Sequence, residues 1–260
     1  MKNQRINEMR DYILSAETVS LKELSDTFQV SINTVRRYIN ILTSEDSSIQ
    51  KVYGGVSTHK KAPQPQSYIV RNQEQNQAKR AISKKAAELI QNHDIVFIDS
   101  GTTTRYILDY VPSDKQFTVI TNNYYIINAA IEKPEITLVA LPGILNRKTL
   151  SFSGENSDYL NTYNITKAFM ACTGISARDG ATNSYPSETG IKQIAVSKAD
   201  QIYLLADHSK FGISTLMTYC PVARFSGIIT DLPPSEAFSS YAQENGSRII
   251  LTSGNERTAS

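Results

Sequence analysis

Two short stretches of this 260-residue chain combine residue types suited to holding a small anion. In Asp99-Ser100-Gly101-Thr102-Thr103-Thr104, a glycine and four hydroxyls follow an apolar run and open a helical stretch. Free backbone N–H groups and hydroxyl donors at such a helix start can surround an anion. The helix end adds about 0.3–1 kcal/mol of favourable field at an exposed site. In Asp207-His208-Ser209-Lys210-Phe211, a lysine follows a second apolar run. Brought near the hydroxyl-rich loop, Lys210 would make a phosphate or sugar-phosphate site, with Asp99 and Asp207 accepting from sugar hydroxyls. Thr121-Asn122, Leu141-Pro142-Gly143 and Thr173-Gly174 also follow apolar runs. Neither a Walker Gly-Lys-Ser/Thr ending nor a G-x-G-x-x-G accompanies them. A third stretch carries different chemistry. On a helix starting after Ser31, Asn33, Arg37 and Asn40 point away from an apolar stripe, with Thr34 and Arg36 at its edges. Arg grips guanine O6 and N7, Asn grips adenine, and a Thr methyl meets thymine, so this face suits a major groove.

The elements that position the third stretch are legible in the periodicity. Ile6, Met9 and Ile13 predict a first helix over 2–16. Ser20-Leu21-Lys22-Glu23 is a capping box that opens a second helix with Leu21, Leu24 and Phe28 on one face. Ser31 caps the third, whose stripe is Ile32, Val35, Ile39 and Leu42. Ile49–Val52 and Val56–Thr58 flank Tyr53-Gly54-Gly55 and predict a hairpin wing, with Lys51, Lys60 and Lys61 in reach of phosphates. The whole is a winged helix-turn-helix over residues 1–60. Residues 61–77 hold five Gln and two Pro after Lys61 and predict a semi-extended linker. Residues 78–260 alternate apolar runs at 95–98, 117–120, 136–140, 168–171, 202–205 and 228–229 with helical stretches near 78–91, 104–110, 123–132, 188–198 and 235–245. That order predicts an α/β domain with a mostly parallel sheet, its strands buried on both faces. Ligands of such sheets bind beyond the carboxyl ends of the strands, where both anion-suited stretches fall.

Composition narrows the field. Residues 1–61 carry nine Lys or Arg against seven Asp or Glu, while the remainder carries eighteen of each, so the small basic surplus lies with the predicted DNA head. Two cysteines, Cys172 and Cys220, offer neither a disulfide framework nor a CxxC clip, and three dispersed histidines give no zinc spacing. No metal or cofactor is expected. The polar start excludes a secretory h-region, and no apolar run approaches the roughly 20 residues of a membrane span. A soluble, cytoplasmic chain without membrane partners is the expectation.

Val19-Ser20 with Glu23-Leu24, Val30-Ser31, Thr34-Val35-Arg36-Arg37 and Gly54-Gly55 resemble, in that order, the head of the DeoR family of bacterial regulators. Tyr38 and Tyr53 stand where the family usually has Asp and His. The resemblance continues through Asp99–Thr104, Val119-Ile120-Thr121-Asn122, Pro142-Gly143, Gly154-Glu155, Gly174-Ile175, Gly180-Ala181-Thr182, Glu188 with Lys192, and Asp207–Phe211. It implies a sensor domain similar to ribose-5-phosphate isomerase and CoA-transferase folds, whose relatives bind phosphorylated sugars. The implied effector set is Asp99, Ser100, Gly101, Thr102, Thr103, Thr104, Thr121, Asn122, Gly143, Gly174, Glu188, Asp207 and Lys210. The implied DNA set is Ser31, Asn33, Thr34, Arg36, Arg37, Asn40, Lys51 and Tyr53. The expectation is a metabolite-controlled repressor of a carbohydrate-catabolism operon, binding double-stranded operator DNA as a homodimer or homotetramer. An activator, and a sugar-phosphate isomerase with a DNA-binding appendage, are the alternatives.

Overall fold

The computed structural model describes residues 2–16, 18–45, 49–52, 54–58 and 67–253. The chain divides into two compact units, residues 1–62 with 235–237, and residues 63–234 with 238–260. The first holds α1 (Lys2–Ala16), β1 (Thr18–Ser20), α2 (Leu21–Phe28), α3 (Ile32–Glu45), β2 (Ile49–Val52) and β3 (Gly55–Thr58). Ile6, Met9 and Ile13 of α1, Leu24 of α2, and Val35, Tyr38, Ile39 and Leu42 of α3 bury together with Val19, Ile49 and Val56. The Ser20 hydroxyl accepts from the Glu23 N–H at 3.0 Å, as a capping box requires. Its reciprocal half is absent, because the Glu23 carboxylate accepts instead from the Tyr12 hydroxyl at 3.1 Å. The turn between α2 and α3 is closed by Gln29, left-handed at φ 48°, whose N–H reaches the Ser25 carbonyl, and by the Ser25 hydroxyl donating to the Val30 carbonyl at 2.6 Å. The wing has one strand more than its sequence suggests. β1 joins the hairpin as an outer strand, giving an antiparallel sheet in the order β1-β3-β2.

The second unit begins with a correction to the linker. Tyr68–Gln73, inside the Gln- and Pro-rich stretch, is a short helix, α4. Tertiary contacts override its composition: Tyr68 is buried, stacks on Tyr125 at 5.2 Å and donates its N–H to the Lys148 carbonyl at 2.8 Å. There follow α5 (Asn76–Ala87), β4 (Ile95–Ile98), β5 (Phe117–Thr121), α6 (Tyr124–Ile131), β6 (Ile136–Ala140), β7 (Ile144–Asn146), β8 (Ser151–Ser153) and β9 (Ile165–Ala171). The chain continues through β10 (Gly174–Ser176), β11 (Gly180–Asn183), α7 (Pro186–Lys198), β12 (Ala199–Leu205), β13 (Met217–Cys220), β14 (Gly227–Thr230), α8 (Glu236–Glu244) and β15 (Arg248–Leu251). Thr104–Tyr110 is a 3-10 helix rather than an α-helix.

Seven strands form one parallel sheet in the order β15-β14-β12-β9-β4-β5-β6. Successive strands run outward from β4 through β5 to β6. The chain then returns to the other side of β4 with β9 and runs outward again. The order reverses between β4 and β9, and such a switch point leaves a crevice beyond the strand ends. Separate apolar cores cover the two faces: one gathers Phe97, Met170, Ile191, Leu204 and Ile228, the other Ile82, Ile98, Phe117, Ile126 and Phe169. No described helix is long and apolar enough to cross a membrane.

Candidate functional site

In the first unit, α3 presents Asn33, Arg36, Arg37 and Asn40 to solvent, with Thr34 half-buried. Its start is fixed by Ser31, whose hydroxyl accepts from the Thr34 N–H at 3.2 Å and lies 3.0 Å from the Thr34 hydroxyl. Neither Arg36 nor Arg37 has an ion pair or hydrogen bond among the described residues, so both guanidiniums are open to a partner. Tyr38, where the family has Asp, belongs to the core and lies under the Arg37 guanidinium at 5.6 Å. Lys51 is exposed on β2. Tyr53, Lys60 and Lys61 lie outside the described residues. Ile32 departs from its expected place, being 43% exposed where the periodicity put it in the buried stripe.

In the second unit, the switch point brings the ends of β4 and β9 together. A Cβ on Gly101 would overlap the Ala171 side chain, so only glycine lets the two ends approach this closely. Asp99, fully buried, is the hub. Its Oδ1 accepts from the Ser100 N–H at 2.8 Å, and its Oδ2 accepts from the Ala171 N–H at 2.9 Å and pairs with the Lys192 ammonium. Lys192 also donates to the Ala171 carbonyl at 3.0 Å, as does the Tyr219 hydroxyl at 3.0 Å. Both Asp99 oxygens are therefore engaged inside the protein, where the expectation had Asp99 accepting from sugar hydroxyls. Thr104 is likewise engaged: its hydroxyl donates to the Asp99 carbonyl at 2.6 Å and accepts from the Gly101 N–H at 2.9 Å. The Ser100 hydroxyl donates to Glu188 Oε1 at 3.1 Å. Burial pushes the Glu188 carboxyl above the usual carboxylate range, with Lys192 opposing.

Asp207 is different. It is fully buried at the end of β12, its Oδ1 accepts from the Ser209 N–H at 3.0 Å and from the Ser209 hydroxyl, and its Oδ2 has no donor among the described residues. A buried carboxylate oxygen without a partner is costly unless something fills it. Lys210, three residues on and half-exposed, donates its backbone N–H to the Asp207 carbonyl at 3.0 Å, while its ammonium has no hydrogen bond or ion pair among the described residues. Cys172 lies just past β9, and strand order sets the β4 end with Asp99 on one side of it and the β12 end with Asp207 and Lys210 on the other. Burial pushes its thiol up to about 12, and that of Cys220 similarly. Both cysteines are free.

Other expected residues fall around this centre. Thr121 and Asn122 end β5, on the far side of β4. The Thr121 hydroxyl donates to the Ile98 carbonyl at 2.6 Å, while the buried Asn122 Oδ1 has no donor among the described residues. Thr102 and Thr103 are buried beside the β4 end. Gly143 is exposed past β6, next to a shallow cleft lined by Leu141, Pro142, Phe152, Ser153, Gly154, Ser187 and Ile191. Gly174 is glycine for a packing reason, since a Cβ there would overlap Ile213. Strand order sets Asn122 and Asp207 three strands apart, about 14 Å at ordinary strand spacing. Among the described residues no group of His, Cys, Asp and Glu is placed to hold a metal ion.

Sequence reasoning missed Lys79. It is buried in α5, and its ammonium donates to the Arg71 carbonyl and, at 2.7 Å, to the Glu74 carbonyl, tying α4 to α5. Burial pushes it down to about 8, with Asp207 opposing and Lys210 adding to the shift. The signal was present: Lys79 stands three and four residues before the buried Ile82 and Ser83, on the apolar face of its helix.

Comparison with known proteins agrees with this anatomy. The DeoR-like helix-turn-helix domain matches residues 5–62, and the DeoR C terminal sensor domain matches residues 74–232. The HTH-type transcriptional regulator IolR of Bacillus subtilis is 47% identical over 254 residues, covering 96% of this chain and 100% of that protein. The glycerol-3-phosphate regulon repressor of Escherichia coli is 26% identical, covering 90% and 92%. A ribose 5-phosphate isomerase from Methanocaldococcus jannaschii superposes with a TM-score of 0.40 at 15% identity, over 52% of this chain and 54% of that one. Head, sensor and their order together show that this chain is a DNA-binding transcriptional regulator and belongs to the DeoR family.

Proposed function

We propose that the protein is a cytoplasmic repressor of a carbohydrate-catabolism operon, whose grip on double-stranded operator DNA is set by a phosphorylated sugar or related intermediate. Asn33, Arg36, Arg37 and Asn40 read bases, with Ser31, Thr34, Lys51 and Tyr53 completing the contact. Two heads in a homodimer or homotetramer bind paired half-sites. In the sensor, Lys210 takes the anionic group, Asp207 Oδ2 accepts from a ligand hydroxyl, and the Ser100–Thr103 loop supplies donors beside them. Glu188, Thr121, Asn122, Gly143 and Gly174 form the surrounding wall, and Asp99 with Thr104 holds the loop in shape.

One observation carries the effector reading: at the carboxyl ends of a parallel sheet, the buried Asp207 Oδ2 has no donor among the described residues, and the ammonium of Lys210, three residues on, has no anionic partner among them. A binding role rather than turnover is favoured because Asp99 is locked by Lys192 and backbone donors. Repression agrees with the name of the Escherichia coli relative. The test is a thermal-shift screen of phosphorylated sugars and polyols on the full chain, repeated on Lys210→Ala. A ligand that binds only the folded state raises the melting temperature. Stabilisation by at least one such compound, lost in the variant, is expected; none in either protein refutes the effector reading.

A further inference from the structure

We infer that Ile32 is a base-reading residue: its side chain meets the 5-methyl group of a thymine in the major groove and sets a thymine preference at one position of each half-site. The inference rests on the DNA-reading role of α3. Helical phase assigns Ile32 to the edge of the buried stripe, yet it is 43% exposed, while Val35, Ile39 and Leu42 of the same helix are buried. It is the first residue of α3, one turn ahead of the first stripe residue that the core closes over. At 100° per residue it lies about 40° from Arg36, so Ile32, Asn33, Arg36, Arg37 and Asn40 make one continuous exposed face. Residues at the start of a recognition helix are those that reach base edges.

The chemistry of that face leaves Ile32 one target. Its arginines and asparagines read hydrogen-bonding edges of guanine and adenine, whereas the apolar feature of the groove is the thymine methyl. Thr34 is the other methyl-bearing side chain near the helix start. It is half-buried and its hydroxyl lies 3.0 Å from that of Ser31, so Ile32 exposes the larger hydrocarbon of the two. A lone exposed isoleucine is unremarkable where a surface meets only water. On a face that meets DNA, the same branched hydrocarbon is buried most favourably against the thymine methyl, the apolar feature of the groove.

The experiment begins with selection of binding sequences by the full chain from a random duplex library. Each thymine of the selected duplex is then replaced by deoxyuridine, which removes only the methyl. The wild type is expected to lose about fourfold in affinity at one thymine per half-site, the worth of one buried methyl-sized group. Ile32→Ser is expected to show no loss there and to enrich a motif that keeps the other positions but not that thymine. Ile32→Val, which retains a branched hydrocarbon, keeps the preference. Unchanged melting of both variants accompanies these results, because the position is exposed. A wild type with no methyl-sensitive thymine, or a Ser variant with the same sensitivity, overturns the role of Ile32 while the DNA-reading role of α3 stands. A wild type that enriches no sequence refutes the reading role of α3 and this inference with it.

Discussion

Replacing Lys192 by methionine isolates the role of the Asp99 hub. Methionine fills the space of the lysine stem and removes the charge. Asp99 is fully buried, and Lys192 is the cation paired with its Oδ2. In the variant, the carboxylate retains the Ser100 and Ala171 N–H groups at 2.8 and 2.9 Å but has lost its neutralising partner. The Ala171 carbonyl keeps the Tyr219 hydroxyl at 3.0 Å, so that acceptor is not stranded. Breaking a buried pair on one side costs about 3–5 kcal/mol, and the surviving backbone donors place this case at the lower end. The assay is urea unfolding of the full chain by far-ultraviolet circular dichroism and tyrosine fluorescence, the chain having 14 Tyr and no Trp. The transition of the sensor should fall by about 3 kcal/mol while that of the DNA head stays in place. In the cycle with Asp99→Asn, the two changes should couple by about 2 kcal/mol. A loss below about 1 kcal/mol, or strict additivity, would refute the assignment of Asp99 as a scaffold carboxylate.

Other consequences are as direct. Arg36→Ala and Arg37→Ala should each weaken binding to a selected duplex by about 1–3 kcal/mol at fixed salt, with unfolding midpoints unchanged; unaltered affinity in both would remove them from the reading face. Lys210→Ala should reduce the influence of a phosphorylated effector on DNA affinity more than it reduces that affinity itself, and an equal effector response would take Lys210 out of the site. Burial pushes Lys79 from its ordinary 10.5 down to about 8. The unfolded chain therefore binds the extra proton between those values, so the penalty is full below about 8 and fades as pH rises. Wild type should gain stability relative to Lys79→Met between about pH 8 and pH 10, read as urea midpoints; a constant difference would contradict this.

The head was largely legible because its elements are local: three amphipathic repeats, a capping serine and a glycine-tipped turn each occupy a few consecutive residues. Ile32 escaped because helical phase reports direction around an axis but not where along it the core ends. In the sensor, buried strands announced themselves as apolar runs, and the polar residues at their carboxyl ends could be named with them. Their spatial order did not, since nothing in the run Ile165–Ala171 says that it lies beside β4 rather than β6. That order decides which carboxylate meets Lys192. Asp99 and Asp207 look alike in sequence, and long-range pairing makes one a scaffold and leaves the other open. The helix α4 was hidden for the same reason, its anchor being a ring stacked on Tyr125 rather than any local propensity.

The most direct test of the whole account is a titration of the full chain against its selected duplex, by fluorescence anisotropy at fixed salt, with and without the phosphorylated compound that most raises its melting temperature. The account predicts sequence-specific binding whose affinity changes by about tenfold or more, a coupling of at least about 1.4 kcal/mol between the two sites. A compound that stabilises the protein yet leaves DNA affinity unchanged would contradict it.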